Sequence, residues 1–246
     1  MKGPTVQYDQ ERPRTALVAG GSGALGSAVT DVLLGRGEQV CVPWFDEAEA
    51  EQLRSVHADA VSEGRLRLSR CDVADLDQVA GLLDVLRADW GPLWLACSVV
   101  GGWAGDTPVE ELHDLSVLDR MLMLNLRTAT AVTAEGLRHM GPAGGRVVLV
   151  GSKTAVVPAA GQAAYSASKA ALLSLVQTVA LEQRGTGKTA NAIVPDIIDT
   201  PANRAAMPDA DHSRWLQPRD LAKVVAWLGS AESAPISGAA IPVTAP

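Results

Sequence analysis

Residues 15–26 read Thr-Ala-Leu-Val-Ala-Gly-Gly-Ser-Gly-Ala-Leu-Gly. The first five form an apolar run that ends at glycine, which is typical of a buried parallel strand, and residues 27–34 read as a helix. Glycines between a strand and a helix allow a tight turn and let backbone N–H groups approach a pyrophosphate. An ordinary glycine-rich turn is the alternative, but the strand-turn-helix context favours a dinucleotide site.

The alternation of strands and helices continues along the chain. Further strands are predicted over 39–42, 65–69, 93–100 and 240–243, and helices over 47–61, 76–86, 117–140, from Ala163 onward, and over 218–228. This order predicts an α/β Rossmann fold, a doubly wound and mostly parallel sheet of seven strands with helices on both faces. No repeat or linker divides the sequence, so residues 1–246 are predicted to be one domain, with 1–13 as an amino-terminal extension.

Composition excludes several classes of function. The 246 residues carry 21 basic and 28 acidic side chains, a net charge of −7, and no Lys/Arg cluster suited to nucleic acid. Cys41, Cys71 and Cys97 are odd in number and far apart, which indicates buried free thiols in a reducing compartment. Residues 1–13 lack the apolar core of a signal peptide, and no apolar run approaches a membrane span. A cytoplasmic protein without membrane partners or a metal site is predicted.

Residues 165–169 read Tyr-Ser-Ala-Ser-Lys, near the start of an alanine-rich helical stretch. Tyr165 and Lys169 are four residues apart, so a helix places them on one face, one turn from each other. A nearby ammonium favours the phenolate and can bring the phenol pKa toward neutral pH, where the phenol becomes useful for acid-base catalysis. A solvated helix face is the alternative for this pair taken alone.

Together these features resemble the short-chain dehydrogenase/reductase family. The glycine turn, Asp72-Val73 after the third predicted strand, Asn125, Ser152, Tyr165 and Lys169 occur in that family's order and spacing, over about residues 15–243. The resemblance implies that Tyr165 donates or accepts the proton, while Lys169 lowers the pKa of Tyr165 and holds the nicotinamide ribose. It also implies that Ser152 hydrogen-bonds the substrate oxygen and that Asn125 anchors a water in a proton relay.

The same resemblance implies the cofactor site. Asp72 would meet the adenine amino group, Val73 would pack on the adenine ring, and Thr200 would bind the nicotinamide carboxamide. Tyr165 and Lys169 also count as dinucleotide contacts, and the other implied contacts are Gly20, Ser22, Gly23, Ala24, Leu25, Gly26, Trp44, Gly101, Pro195 and Ile198. Structural alternatives remain for three polar residues, since Ser152 could be a turn residue, Asn125 an internal helix hydrogen-bond former, and Asp72 a helix N-cap.

A narrower resemblance is to quinonoid dihydropteridine reductase, which reduces a quinonoid pterin with NADH. It is carried by the glycine turn, by residues 100–105 (Val-Gly-Gly-Trp-Ala-Gly) and by residues 199–215. Ser152 departs from that enzyme, which lacks the active-site serine, and a hydroxyl there suits carbonyl or hydroxyl chemistry. Two departures from the wider family are Ala24 in place of the middle glycine and Asp196 where Pro-Gly is usual.

Cofactor choice depends on the residues just past the second strand. A carboxylate there takes the ribose hydroxyls of NAD, and an arginine takes the 2′-phosphate of NADP. Trp44, eighteen residues after Gly26, is neither, and it could lie against the adenine. The acidic residues Glu47, Glu49 and Glu51 disfavour an extra phosphate, so among NAD(H) and NADP(H) the sequence favours NAD(H). A solvated helix face is the alternative for this acidic run.

Three further stretches bear on assembly and substrate. The helical patterns over 117–140 and from Ala163 onward are apolar around much of their circumference, and in the family these helices form a dimer contact. A homo-oligomer, a dimer or tetramer, is therefore predicted, with well-buried core helices as the alternative. Residues 201–216 lack periodicity and are predicted to be a lid over the substrate. The candidate substrate residues are Trp103, Arg204, Met207 and Trp215, with core packing as the alternative for each tryptophan.

The sequence therefore predicts an NAD(P)-dependent oxidoreductase that moves a hydride between nicotinamide and a small-molecule carbonyl, hydroxyl, imine or quinonoid centre. One alternative is a non-catalytic dinucleotide-sensing protein on the same fold, although the complete set of Asn125, Ser152, Tyr165 and Lys169 argues against it. A nucleotide-sugar epimerase or dehydratase also uses a Tyr-x-x-x-Lys pair. Those chains usually carry a larger carboxyl-terminal region, for which 246 residues leave little room.

Overall fold

The computed structural model describes residues 13–245, so the predicted extension over 1–13 lies almost wholly outside the described residues. Within that range seven strands form one sheet in the order β3-β2-β1-β4-β5-β6-β7, and every neighbouring pair is parallel. The strands are β1 Thr15–Ala19, β2 Gln39–Trp44, β3 Leu66–Arg70, β4 Leu93–Ser98, β5 Gly145–Val150, β6 Lys188–Pro195 and β7 Ala240–Val243. The predicted Rossmann fold is confirmed.

Helices connect the strands and cover both faces of the sheet. They are α1 Ala24–Gly35, α2 Glu47–Val56, α3 Ala58–Ser62, α4 Leu76–Trp90, α5 Ser116–Met121, α6 Thr128–His139, α7 Ala163–Glu182, α8 Pro201–Ala206 and α9 Pro218–Leu228. The helix predicted over 47–61 is broken at His57, whose φ of −113° leaves the helical region. The helix predicted over 117–140 is a continuous run in which the π-helical turn Leu122–Arg127 joins α5 to α6.

Strand β1 shows why the sheet must be covered twice. Its five residues are all buried, and successive side chains of a strand point to opposite faces. Ala16 and Val18 belong to the core layer that includes residues of α1 and α9, whereas Leu17 and Ala19 belong to the layer that includes residues of α4, α6 and α7. An apolar run without alternation is therefore what this position in the sheet requires.

The order in which strands are added to the sheet reverses at β1. Strands β2 and β3 lie on one side of β1, and the chain then crosses back so that β4 pairs with its other side. In such sheets the loops that leave the carboxyl ends of the two central strands diverge and open a crevice that binds ligands. The glycine turn after β1 and the Gly101-Gly102 segment after β4 both lie at this edge.

The cysteines agree with the sequence interpretation. Cys41, Cys71 and Cys97 are all buried and free. Burial raises the thiol pKa of Cys41 and of Cys97 to about 12, so these thiols stay protonated and pack as small apolar groups. Within residues 13–245, no helix combines the length and the apolar character needed to cross a bilayer.

Candidate active site

The turn after β1 is shaped to hold a phosphate group. Gly20 has φ of +79°, a conformation that favours glycine, and a Cβ added to Gly26 would lie 1.9 Å from the Gly20 carbonyl oxygen. Helix α1 therefore approaches the turn as closely as its backbone allows. Gly23 precedes α1 without a side-chain cap, so the first N–H groups of a twelve-residue helix are open to an anion. The turn fits the pyrophosphate of a dinucleotide.

Two residues predicted at the adenosine end have defined surroundings. Trp44 is the last residue of β2, and its indole N–H is buried and finds no hydrogen-bond partner within residues 13–245. Asp72 follows β3, and its carboxylate accepts from the N–H of Ala74 at 2.9 Å. The N-cap of α4 is Asp75 rather than Asp72, so the N-cap alternative for Asp72 is wrong. Val73 is partly buried against the core.

Asn125 joins three elements that meet at the crevice. Its side chain is fully buried, and Oδ1 accepts from the N–H of Gly102 at 3.0 Å while Nδ2 donates to the Gly102 carbonyl at 3.1 Å. Nδ2 also donates to Ser168 Oγ at 3.0 Å, and Ser168 Oγ donates to the backbone carbonyl of Tyr165 at 2.8 Å. Asn125 therefore ties the loop after β4 to the first turns of α7, a longer-range role than bonding within its own helix.

Tyr165 and Ser152 approach each other from different elements. Ser152 follows β5 and begins the 3₁₀ turn Lys153–Ala155, where its Oγ lies 3.0 Å from Thr154 Oγ1. Tyr165 lies in the first turn of α7. Burial raises the pKa of the Tyr165 phenol, and Ser152 opposes that rise by lowering it. The pair that the sequence predicts to act on one substrate oxygen is brought together.

Lys169 lies one turn after Tyr165 on α7, and its predicted lowering of the Tyr165 pKa stays a prediction. Its Nζ donates to the Val150 carbonyl at 2.8 Å, and the side chain is only 4% exposed. Burial raises the Tyr165 pKa more than Ser152 lowers it, so the net direction is upward. The reason is desolvation, which disfavours a buried phenolate and also lowers the pKa of the Lys169 ammonium to about 8.

The lowered pKa of Lys169 predicts a pH dependence of stability. Between about pH 8 and pH 10.5 the unfolded chain holds a proton on this lysine that the folded protein has lost, so stability rises with pH through that window. We expect the free energy of unfolding of the wild type, minus that of Lys169→Met, to rise by roughly 3 kcal/mol across it. Urea denaturation of both proteins at a series of pH values measures this difference.

The subtraction also removes the effect of the buried thiols. Because burial raises the pKa of Cys41 and Cys97, they act in the opposite direction and reduce stability above about pH 9 in both proteins. A difference that stays flat from pH 8 to pH 10.5 would mean that Lys169 keeps its ordinary pKa.

The loop after β6 carries the predicted nicotinamide contacts. Pro195 ends β6, Ile198 forms a parallel bridge with Leu216, and Thr200 N-caps α8 by accepting from the Asn203 N–H at 3.1 Å. The departure at Asp196 has a structural counterpart, because its carboxylate forms an ion pair with Lys153 Nζ at 2.9 Å. This pair links the loop that carries Ser152 to the loop that carries Thr200.

The predicted lid over 201–216 is more ordered than its sequence indicates. It contains α8 and the 3₁₀ turn His212–Arg214. Arg204 has a protein partner, because its guanidinium donates to both oxygens of Asp199, at 2.5 and 2.7 Å, and its contact with a substrate stays a prediction. Hydrogen bonds from Arg204 and then Gln217 lower the pKa of Asp199. The pair anchors the start of the lid.

The other substrate candidates separate into packing and exposed residues. Trp215 is 7% exposed and its ring centroid lies 4.3 Å from that of His212, so it packs the lid rather than lining an open pocket. Met207 is partly buried, and its carbonyl is 2.9 Å from His212 Nε2. Trp103 is 50% exposed, and a Cβ added to Gly105 would lie 2.9 Å from its ring and 3.2 Å from the side chain of Gln162, the residue that precedes α7. Of these residues, Trp103 is the best placed to meet a substrate.

Gly101 shows how tightly the predicted catalytic side chains converge. A Cβ at this position would lie 2.8 Å from Asn125 Oδ1 and 3.2 Å from Lys169 Nζ. The loop after β4 therefore passes directly over two of the predicted catalytic residues, and a larger residue at 101 would displace them.

Sequence reasoning missed three participants in this site. Ser168 lies inside the quoted Tyr-to-Lys stretch, and its position one residue before Lys169 was the available signal. Lys153 directly follows Ser152, so its sequence position also pointed to the site. The bond between Ser22 and Glu49, at 2.6 Å, spans 27 residues and has no local signal.

Comparison with known proteins agrees with this geometry. A model described as short chain dehydrogenase matches residues 14–211. The chain belongs to the short-chain dehydrogenase/reductase family. A cis-4-hydroxycyclohexanecarboxylate dehydrogenase from Sinomonas cyclohexanicum is 29% identical over 239 residues, covering 94% of each chain. A cyclic-di-GMP-binding biofilm dispersal mediator protein of Escherichia coli K12 is 30% identical over 234 residues, covering 92% of this chain and 93% of that protein.

A solved structure extends the comparison to a bound cofactor. The blue fluorescent protein from a metagenomic library, in complex with NADPH, has a TM-score of 0.84 and 26% sequence identity, covering 95% of this chain and 97% of that one. As a short-chain dehydrogenase/reductase, the protein is an NAD(P)-dependent oxidoreductase. The narrower resemblance to quinonoid dihydropteridine reductase stays a prediction.

Proposed function

We propose that this short-chain dehydrogenase/reductase moves a hydride between NAD(H) and a small molecule with a carbonyl or hydroxyl group, with Tyr165 as the acid-base residue. The observation that carries the proposal is the convergence of Asn125, Tyr165 and Lys169 at the loop after β4. Asn125 bonds Gly102 and Ser168, Ser168 bonds the Tyr165 carbonyl, and a Cβ at Gly101 would lie 3.2 Å from Lys169 Nζ. Ser152 acts on the Tyr165 phenol by lowering its pKa, and a substrate oxygen is expected to bond to both hydroxyls. An imine or quinonoid centre is the alternative substrate group.

The chain's own residues supply orientation and proton chemistry. When bound, the nicotinamide supplies or accepts the hydride, and the glycine turn and the loop after β6 would hold the dinucleotide. Ser152 hydrogen-bonds the substrate oxygen and the Tyr165 phenol exchanges its proton. Burial raises the phenol pKa, so the side chain is protonated at neutral pH, which is the form needed to donate a proton to a substrate oxygen.

Asn125 and Lys169 act behind these two hydroxyls. Asn125 fixes the spacing between the loop after β4 and α7 through its bonds to Gly102 and Ser168. Lys169 lies close to Gly101 and holds its Nζ toward the carboxyl end of β5. With a pKa of about 8, it is able to pass or take up a proton near neutral pH.

The experiment that tests the proposal separates binding from turnover. Purified protein is titrated with NADH and NADPH, and oxidation of each is then followed against a panel of ketones, quinones and quinonoid pterins. We expect dinucleotide binding together with turnover of at least one class. Preference for the pterins over the ketones would support the narrower resemblance. Failure to bind either dinucleotide would end the proposal.

Tight dinucleotide binding with silence across the panel would instead favour a non-catalytic sensor. The Escherichia coli relative, whose name describes cyclic-di-GMP binding, makes cyclic-di-GMP a useful competitor in the titration.

We further propose a cytoplasmic homo-oligomer, a dimer or tetramer that forms through α5–α6 and α7, for which light scattering of the purified chain gives the mass.

A further inference from the structure

The glycine turn is bonded to α2 through a side-chain hydrogen bond. Ser22 Oγ donates to Glu49 Oε2 at 2.6 Å. A hydroxyl-to-carboxylate bond of this length is charge-assisted and stronger than a bond between neutral groups. Glu49 is otherwise exposed on α2, so this bond is what fixes its carboxylate beside the turn.

This bond lies at the carboxyl end of β2. A Cβ on Gly21 would be 2.6 Å from a methyl group of Val42, so the turn sits directly against β2, two residues before the strand ends at Trp44. Ser22 follows Gly21, and α2 begins shortly after Trp44. The Glu49 carboxylate therefore lies beside the strand end where dinucleotide sites of this fold usually carry an acid for the adenosine ribose.

We propose that Glu49 takes the place of the missing strand-end carboxylate and makes the site select NAD(H) over NADP(H); the inference rests on the proposed function. A carboxylate has acceptor capacity beyond one bond, so after accepting from Ser22 it can also accept from a ribose 2′-hydroxyl. A 2′-phosphate at the same place brings like charges together and is repelled. Trp44, with its neutral indole, does neither.

The basic residues around this end of the site define the competing outcome. The guanidinium of Arg54 is held in an ion pair by Glu51 on the same helix. Arg70 ends β3 in register with Trp44 and is exposed. If Arg70 rather than Glu49 governed the site, a 2′-phosphate would be attracted and NADP(H) would be preferred.

The test compares dissociation constants and needs no substrate. NADH and NADPH are titrated against wild type, Glu49→Gln and Glu47→Gln by quenching of tryptophan fluorescence. The control changes the same charge on the same helix at a residue placed at the start of α2. We expect wild type to bind NADH at least about tenfold tighter than NADPH, and Glu49→Gln to shrink that ratio by about tenfold, chiefly through tighter NADPH binding. Glu47→Gln should leave the ratio within about twofold.

Each other result overturns the inference in a recognisable way. If Glu49→Gln and Glu47→Gln change the NADH-to-NADPH affinity ratio equally, the overall negative charge of α2 rather than Glu49 sets cofactor preference. The proposed function still stands in that case. If wild type prefers NADPH and Arg70→Ser removes that preference, Arg70 governs selection. If folded protein binds neither dinucleotide, both the inference and the proposed function are wrong. Thermal unfolding of each variant establishes that it is folded.

Discussion

Tyr165→Phe should lower kcat by about 10³-fold or more while changing the dissociation constant of NADH by less than about threefold. The substitution removes the phenol oxygen that exchanges the proton, but the ring still packs. The backbone carbonyl of residue 165 also keeps its bond from Ser168. Steady-state kinetics with the best substrate of the panel gives kcat, and a fluorescence titration gives the affinity. A variant that retains most of its activity would remove Tyr165 from the acid-base role.

Ser152→Ala is the matched comparison, because it keeps the phenol and removes its partner. Ser152 lowers the Tyr165 pKa, so removing its hydroxyl should let burial raise that pKa further. The limb of the pH–rate profile that reports the phenol should then move to higher pH. A lower maximal rate with an unchanged pKa in the pH–rate profile would mean that Ser152 binds substrate but does not change the pKa of Tyr165.

Gly26→Ala is the substitution expected to damage cofactor binding most. Its Cβ would lie 1.9 Å from the Gly20 carbonyl, so α1 must move away from the turn. Overpacking of this kind costs about 1–3 kcal/mol, and the thermal midpoint should fall by roughly 2–12 °C. We expect dinucleotide affinity to fall by about 100-fold, because the N–H groups of the turn and of α1 no longer face one point.

Gly35→Ala provides the control at the other end of the same helix. A Cβ there meets nothing within 4 Å, so the same chemical change should leave binding intact and stability unchanged or slightly increased. Thermal scans and dinucleotide titrations of both variants make the comparison. Equal losses of stability and dinucleotide affinity in the two variants would mean that α1 does not tolerate alanine at either position. The close approach of Gly26 to the turn would then not be the cause of the loss.

The elements with strong local signals were predictable from sequence. Helix α9 and strand β7 have the predicted bounds, 218–228 and 240–243, because proline opens the helix and polar residues separate the two. The parallel sheet followed from apolar runs that show no alternation. In 201–216, the threonine and proline at 200–201 were the signal for α8, since such a pair commonly caps and begins a helix.

Interactions between elements were not predictable in the same way. The sequence predicts that Arg204 meets the substrate, but in the structure its guanidinium hydrogen-bonds the Asp199 carboxylate. The helical spacing of Tyr165 and Lys169 is right, yet burial is the largest influence on the phenol pKa and raises it, and burial depends on the whole fold. Glu49 meets Ser22 because α2 folds back along β2, which no pattern within either segment specifies.

The ion pair between Lys153 and Asp196 has a mechanical consequence. It couples the segment after Ser152 to the loop that leads into residues 201–216, so any movement of the predicted lid must either move that segment or break the contact. The Lys153 side chain is 60% exposed, so dissolved ions screen this ion pair. Raising the ionic strength should therefore weaken the coupling and let the two segments move more independently.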